Sequence, residues 1–165
     1  MPETEELYWD SNVFLTYING GPPDRVAEVE PILDAADGKR LRILTSTLTI
    51  AEVAYAKHEI DTHQLEVDVE KKIDALWSGH PGITFIEMHS RIALDARNLI
   101  RSAVSQRIAR PSGADAVHLA SARTLGVKVF HTYDHLTQYE PLVGFTIEEP
   151  TASQPYLSPP GEPSR

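Results

Sequence analysis

The sequence predicts an α/β protein: a single three-layer domain with a mostly parallel central sheet flanked by helices. Two observations lead there. Short apolar runs alternate along the chain with segments of helical periodicity, a pattern that puts parallel strands inside and helices on both faces. The chain has 165 residues, 41% of them hydrophobic, which is the length of one ordinary domain and enough apolar material to bury a core.

The elements follow in order. Leu7 to Trp9 is short, apolar and aromatic and ends at Asp10, as a buried strand feeding a turn does. A helix starts at Ser11 and runs to Ile18. Asp24 to Ala36 carries Val26, Val29, Ile32 and Leu33 at helical spacing but contains Pro31 and is closed by Gly38, so one kinked helix or two short ones are expected. Leu41 to Thr45 is the second strand. Ser46 or Thr47 then caps a helix that passes through Ile50, Glu52 and Val53 to about His58. Glu59 to Trp77 reads as one amphipathic helix with Leu65, Val69, Ile73, Leu76 and Trp77 as its core stripe. Gly79-His80-Pro81-Gly82 breaks it, and Ile83 to Met88 is the third strand. Ser90 caps a helix carrying Ile92, Leu94, Leu99 and Ile100. Pro111-Ser112-Gly113 precedes a helix from Ala114 to Leu125 that Gly126 closes. Val127 to Phe130 is a fourth strand, Asp134 to Tyr139 a short helix and Val143 to Ile147 a fifth strand. Residues 1–149 thus make up the domain. Residues 150–165 hold five of the twelve prolines beside Ser and Gly, and are expected to form a disordered tail.

Composition excludes several function classes. With no cysteine there is no disulfide framework and no thiolate zinc site. The acidic start Met1 to Glu6 is no secretory signal and no apolar run reaches membrane-spanning length, so a cytoplasmic protein without a membrane partner is expected. The net charge of −9 repels nucleic acid, so polyanion binding must be local. One basic window exists: Arg91, Arg97, Arg101, Arg107 and Arg110 stand against Asp95 alone. A solvated helix face explains such a window equally well.

Four acids fall where strands hand over to helices, and in parallel sheets functional groups gather outside the carboxyl ends of the strands. Asp10 follows the first strand, Glu52 lies on the helix after the second, Asp115 opens the helix after Pro111-Ser112-Gly113, and Asp134 follows the fourth strand. Structural roles are open to three of them: Asp10 as a helix cap, Asp115 beside Ser112 in a capping arrangement, Asp134 in a turn. Glu52 is harder to place, because Leu48, Ile50, Ala51, Val53 and Ala54 surround it and a buried carboxylate needs a partner. If the four meet, their repulsion calls for cations, and hard oxygen ligands suit Mg²⁺ or Mn²⁺.

The segments "YWDSNVFL", "TSTLTIAEV", "GADAVHLASARTLG" and "VFHTYDHL", in that order, resemble the PIN domain, and within it the VapC-like ribonuclease toxins of type II toxin–antitoxin systems. The resemblance spans about Leu7 to Pro150. It implies a PIN-like nuclease domain that cuts single-stranded or looped RNA with Mg²⁺ or Mn²⁺. By resemblance Asp10, Glu52, Asp115 and Asp134 are the catalytic acids. Asp10 and Asp115 would ligate metal directly, and Glu52 and Asp134 directly or through water. Thr132, Asn12 and Ser11 match supporting positions, and Thr47 and Thr49 fall where the family often has hydroxyls. Arg97, Arg101, Arg107 and Arg110 become candidate RNA contacts. A cognate antitoxin and a homodimer are the implied partners. The alternative is a non-catalytic PIN-like module that binds RNA or protein. A haloacid-dehalogenase-type phosphatase would need a second Asp where Asn12 stands, and a receiver domain would need a Lys after its last strand, whereas Lys128 lies before or within one. The seven histidines, lacking the spacing of a zinc helix, read as surface or internally satisfied groups outside the site.

Overall fold

The computed structural model describes residues 4–153. Five strands, β1 (Glu5–Trp9), β2 (Leu41–Ser46), β3 (Ile83–Ile86), β4 (Val129–His131) and β5 (Thr146–Glu148), form one sheet in the order β3-β2-β1-β4-β5. Every pairing is parallel, with Leu7 opposite Ile43 and Tyr8 opposite Phe130. The period of two along β1 sorts its side chains between the two faces. Leu7 and Trp9 join Ile43 in a core roofed by α1 (Ser11–Asn19), α2 (Pro23–Asp37) and, further along the chain, α5 (Val67–Ser78). Tyr8 joins Leu44 and Phe130 in the other core, covered by α6 (Ser90–Ser105), α7 (Gly113–Leu125) and α8 (Glu140–Val143). The short helices α3 (Leu48–Glu52) and α4 (Lys57–Thr62) complete the set, and the three-layer α/β expectation holds. Among the described residues no helix is long and apolar enough to cross a membrane.

Several boundaries differ from expectation. Pro31 sits inside a single continuous α2, because Val29, Ile32, Leu33, Ala35 and Ala36 are buried and that packing outweighs one missing backbone bond. The expected helices 47–58 and 59–77 are instead three. α3 stops at Glu52, where Val53 leaves helical geometry, and α4 stops at His63, which is left-handed at φ 53°. The cause is Glu59, whose carboxylate accepts the Ala56 N–H at 2.8 Å and the Glu66 N–H at 2.6 Å, closing α4 at its start and the turn after it. The Glu66 and Ala56 N–H groups hold its carboxyl below the usual value. Leu65 consequently lies in a turn and is 85% exposed rather than part of the core, while Ile73 and Leu76 are buried. β3 stops two residues before Met88, and His89 rather than Ser90 is the capping position of α6. The segment expected as a helix from Asp134 is a bend followed by a 3₁₀ turn (Thr137–Tyr139) leading into α8. Pro150 is buried and the Ala152 N–H bonds to Glu28; the rest of the proline-rich tail lies outside the described residues.

Gly82 is a point of close approach. It accepts a bond from the Ile43 N–H at 2.8 Å, and a β-carbon on it would lie 2.3 Å from the Ala36 carbonyl oxygen. Backbone cannot step aside as a flexible side chain can. Gly82→Ala is therefore expected to destabilise the protein by about 1–3 kcal/mol, read as a fall of several degrees in thermal melting. An unchanged melting temperature would mean that α2 and β3 separate freely there.

Candidate active site

β1 and β4 are neighbours, yet the chain leaves β1 toward β2 and β3 on one side and reaches β4 and β5 on the other. That is a topological switch point, where the crossovers part and a crevice opens at the carboxyl edge. Asp10 and Thr132 stand on its two lips.

Asp10 fills two roles at once. It caps α1, its Oδ1 accepting the Asn12 N–H at 3.2 Å, and its Oδ2 accepts the Thr132 hydroxyl at 2.5 Å. The Thr132 hydroxyl direction follows from its other partners. Asn12 Nδ2 at 3.2 Å and the Asp134 N–H at 3.0 Å both donate to Thr132 Oγ1, so its own proton goes to Asp10. Asn12 Oδ1 accepts the Tyr133 N–H at 3.1 Å, so one amide braces the whole turn after β4. Ser11 opens α1 and enters none of these bonds. Asp10 is 3% exposed. Burial pushes its carboxyl up to about 7 against the lowering effects of Thr132 and His118, and the charge of Asp134 pushes it further up.

Glu52 closes α3, and its partner is a residue that sequence reasoning left out. His118 Nε2 lies 2.6 Å from Glu52 Oε2, and His118 Nδ1 lies 2.8 Å from the Tyr8 hydroxyl, which accepts the Ser46 N–H at 3.0 Å. His118 is 2% exposed. It was legible in one respect: it sits one turn after Asp115 on the same helix face. Thr49 bonds Thr45 at 2.7 Å inside the core, and Thr47 Oγ1 accepts the Met88 N–H at 3.2 Å, so both hydroxyls hold loops rather than open toward the acids.

Asp115 lies in the first turn of α7, its N–H bonded to the capping Ser112 hydroxyl at 3.1 Å. The turn from α7 to β4 is short, so α7 starts at the carboxyl edge of the sheet, where Asp115 is half-buried. Asp134 is exposed just beyond Thr132. All four acids thus belong to one edge of the sheet. Among the described residues, however, no three acid or histidine side chains are already gathered into a cage for an ion. Arg97 and Arg101 are exposed on α6, and Arg107 and Arg110 lie exposed in the segment joining α6 to α7, with no bond to the acids. A different basic lining was not foreseen. A groove of about 660 Å³ runs from Asn12 and Asp134 past Arg25, Lys57 and His58, with the Arg25 guanidinium 4.1 Å above the Tyr133 ring.

An all-parallel five-stranded sheet between two layers of helices is the arrangement of the PIN fold. Residues 7–137 match the PIN domain family model, and the chain belongs to that family. Sequence comparison with curated proteins finds no match. Among solved structures, a chain of VapBC2 from Rickettsia felis, solved with a promoter DNA fragment, superposes with a TM-score of 0.61 at 13% identity, covering 87% of this chain and 98% of that one. VapC20 of Mycobacterium tuberculosis, a toxin that cleaves the sarcin-ricin loop, gives 0.57 at 13% identity over 85% and 96%. DNA-bound VapBC from Salmonella typhimurium gives 0.57 at 15% identity over 88% and 98%. At these identities the likeness is one of fold.

Proposed function

We propose that the protein is a Mg²⁺- or Mn²⁺-dependent endoribonuclease that cuts single-stranded or looped RNA and acts as the toxin of a toxin–antitoxin pair. The observation that carries this is Asp10: a carboxylate 3% exposed, held by a hydroxyl and a backbone N–H, with no cationic side chain among the described residues bonded to it. A negative charge so placed is costly unless a cation shares it. The donors fit a hard cation, being carboxylate oxygens.

When bound, the ion supplies an activated water and charge stabilisation for an in-line phosphoryl displacement. The chain does the rest. Asp10 and Asp115 would hold the ion from two elements, with Glu52 and Asp134 as further ligands directly or through water, and Thr132 and Asn12 keep the Asp10 carboxylate aimed. The groove past Arg25 and Lys57 offers a path for a flexible strand, which a rigid duplex does not follow. An antitoxin partner is supported by the VapBC assemblies among the structures of like fold. A homodimer is part of the same reading.

The direct test is to incubate purified chain with labelled single-stranded, looped and duplex RNA, with Mg²⁺, Mn²⁺ or chelator. Internal cuts in the flexible RNAs, lost with chelator, are expected. Metal-loaded folded protein that binds RNA but never cuts it would make a binding module the better account.

Two basic surfaces compete for the RNA backbone, and the salt dependence of binding separates them. Removing one cation that neutralises a phosphate of a single strand lowers the slope of log K against log salt by about 0.7. Arg25→Ala with Lys57→Ala is expected to flatten the slope by roughly 0.7 to 1.4. If only Arg97→Ala, Arg101→Ala, Arg107→Ala and Arg110→Ala together flatten it, the strand runs over α6 and its following segment.

A further inference from the structure

We infer that His118 is a positioning residue for Glu52, steadied by Tyr8, so that the cation affinity of the acid site depends on a buried hydrogen-bond chain outside the four acids. This rests on the reading that those acids hold a divalent cation.

Glu52 needs an outside hold. It is the last residue of the five-residue α3, the next residue has left helical geometry, and its side chain is 26% exposed. His118 and Tyr8, by contrast, are 2% and 0% exposed, and Tyr8 is wedged between Phe130, stacked at 5.0 Å between ring centres, and His118, edge-on at 5.9 Å. The chain of bonds is continuous. The Ser46 N–H donates to the Tyr8 oxygen, the Tyr8 hydroxyl and His118 Nδ1 share the next bond, and His118 Nε2–H donates to Glu52 Oε2. The ring thereby satisfies every member. It occupies Oε2 and leaves Glu52 Oε1 without a hydrogen bond among the described residues, as the oxygen available to a cation. The chain ties β1, β2 and α7 to the end of α3, so the end of a short helix is braced by the sheet. Partners that orient a metal-bound carboxylate in this way set affinity without touching the ion.

The probe is Mn²⁺ alone, titrated into the full metal-free chain by calorimetry, with thermal melting of each metal-free variant alongside. His118→Leu is expected to weaken Mn²⁺ binding roughly 10–100-fold. His118→Gln, whose amide reaches close to the Nε2 position and can donate to Glu52, is expected to restore most of that loss. Tyr8→Phe removes the partner of Nδ1 and should fall between them. In a Glu52→Gln background, His118→Leu should add no further loss, because the two act as one unit. A merely structural histidine would lower the melting temperature and leave the affinity of the folded protein alone. Wild-type affinity in folded His118→Leu, or an equal loss in the Glu52→Gln background, overturns the inference. Should His118→Leu fail to fold, wild-type affinity in Tyr8→Phe overturns it equally. A wild-type chain that binds no Mn²⁺, or binds it regardless of Asp10→Asn, defeats the proposed function itself and this inference with it.

Discussion

Asp10→Asn is expected to abolish RNA cleavage, lowering the rate by roughly 10³-fold or more, the equivalent of about 4 kcal/mol of lost transition-state stabilisation. The substitution keeps the volume and an oxygen for the Asn12 N–H, so α1 keeps its cap. What it removes is the charge that would recruit a cation at the switch point. Its local cost falls on Thr132. Asn12 Nδ2 and the Asp134 N–H already donate to that hydroxyl, so an amide proton from position 10 has no lone pair left to meet there. The protein should stay folded nonetheless. Asp115→Asn should behave alike, and both should relieve the growth defect that the wild-type chain is expected to cause in a host. Glu52→Gln is a milder change, because an amide oxygen still accepts from His118. Asp10→Asn protein that is as toxic and as active as wild type would end the nuclease reading.

The second large effect is on stability, where activity and stability should move in opposite directions. Burial raises the Asp10 carboxyl from its ordinary 3.8 to about 7, so between those values the folded protein binds a proton that the unfolded chain has released. Stability from this group is present at low pH and lost as pH rises through about 7. The full difference is on the order of 4 kcal/mol, since each pH unit is worth 1.36 kcal/mol. Metal-free Asp10→Asn should therefore exceed wild type by roughly 1–3 kcal/mol near pH 8, after the disturbance at Thr132. The advantage should shrink toward pH 5. The comparison must be between variant and wild type, because His131 acts in the opposite sense. Burial holds its ring down to about 4, so its contribution is present above the ordinary 6.5 and lost as pH falls toward 4. Mg²⁺ or Mn²⁺ at a hundredfold excess over Kd should stabilise wild type by about 2.7 kcal/mol and the Asp10→Asn/Asp115→Asn protein far less. Equal gains in both proteins would remove the shared site.

What the sequence alone determined is what short stretches of chain decide. The period of two in Leu7-Tyr8-Trp9 assigns two residues to one core and one to the other. Ser112 opens α7 with its hydroxyl and Gly126 closes it with a left-handed backbone, as expected. The alternation of strand and helix places Asp10, Glu52, Asp115 and Asp134 at one edge, since each parallel crossover returns the chain to the same end of the sheet. Tertiary structure decided the rest, because the groups concerned meet only across the finished sheet. Glu52 finds His118 across 66 residues and His118 finds Tyr8 across 110, pairings that depend on the register of β1 with β2 and on how α7 lies over them. Thr132 reaches Asp10 across 122 residues for the same reason, once β4 pairs with β1. The division between α4 and α5 belongs to this second kind although its parts are close in sequence. Helical periodicity from 59 to 77 carries the polar–apolar pattern but not the competition for the Glu59 carboxylate. Two backbone N–H groups take it, a turn forms, and Leu65 is left facing solvent.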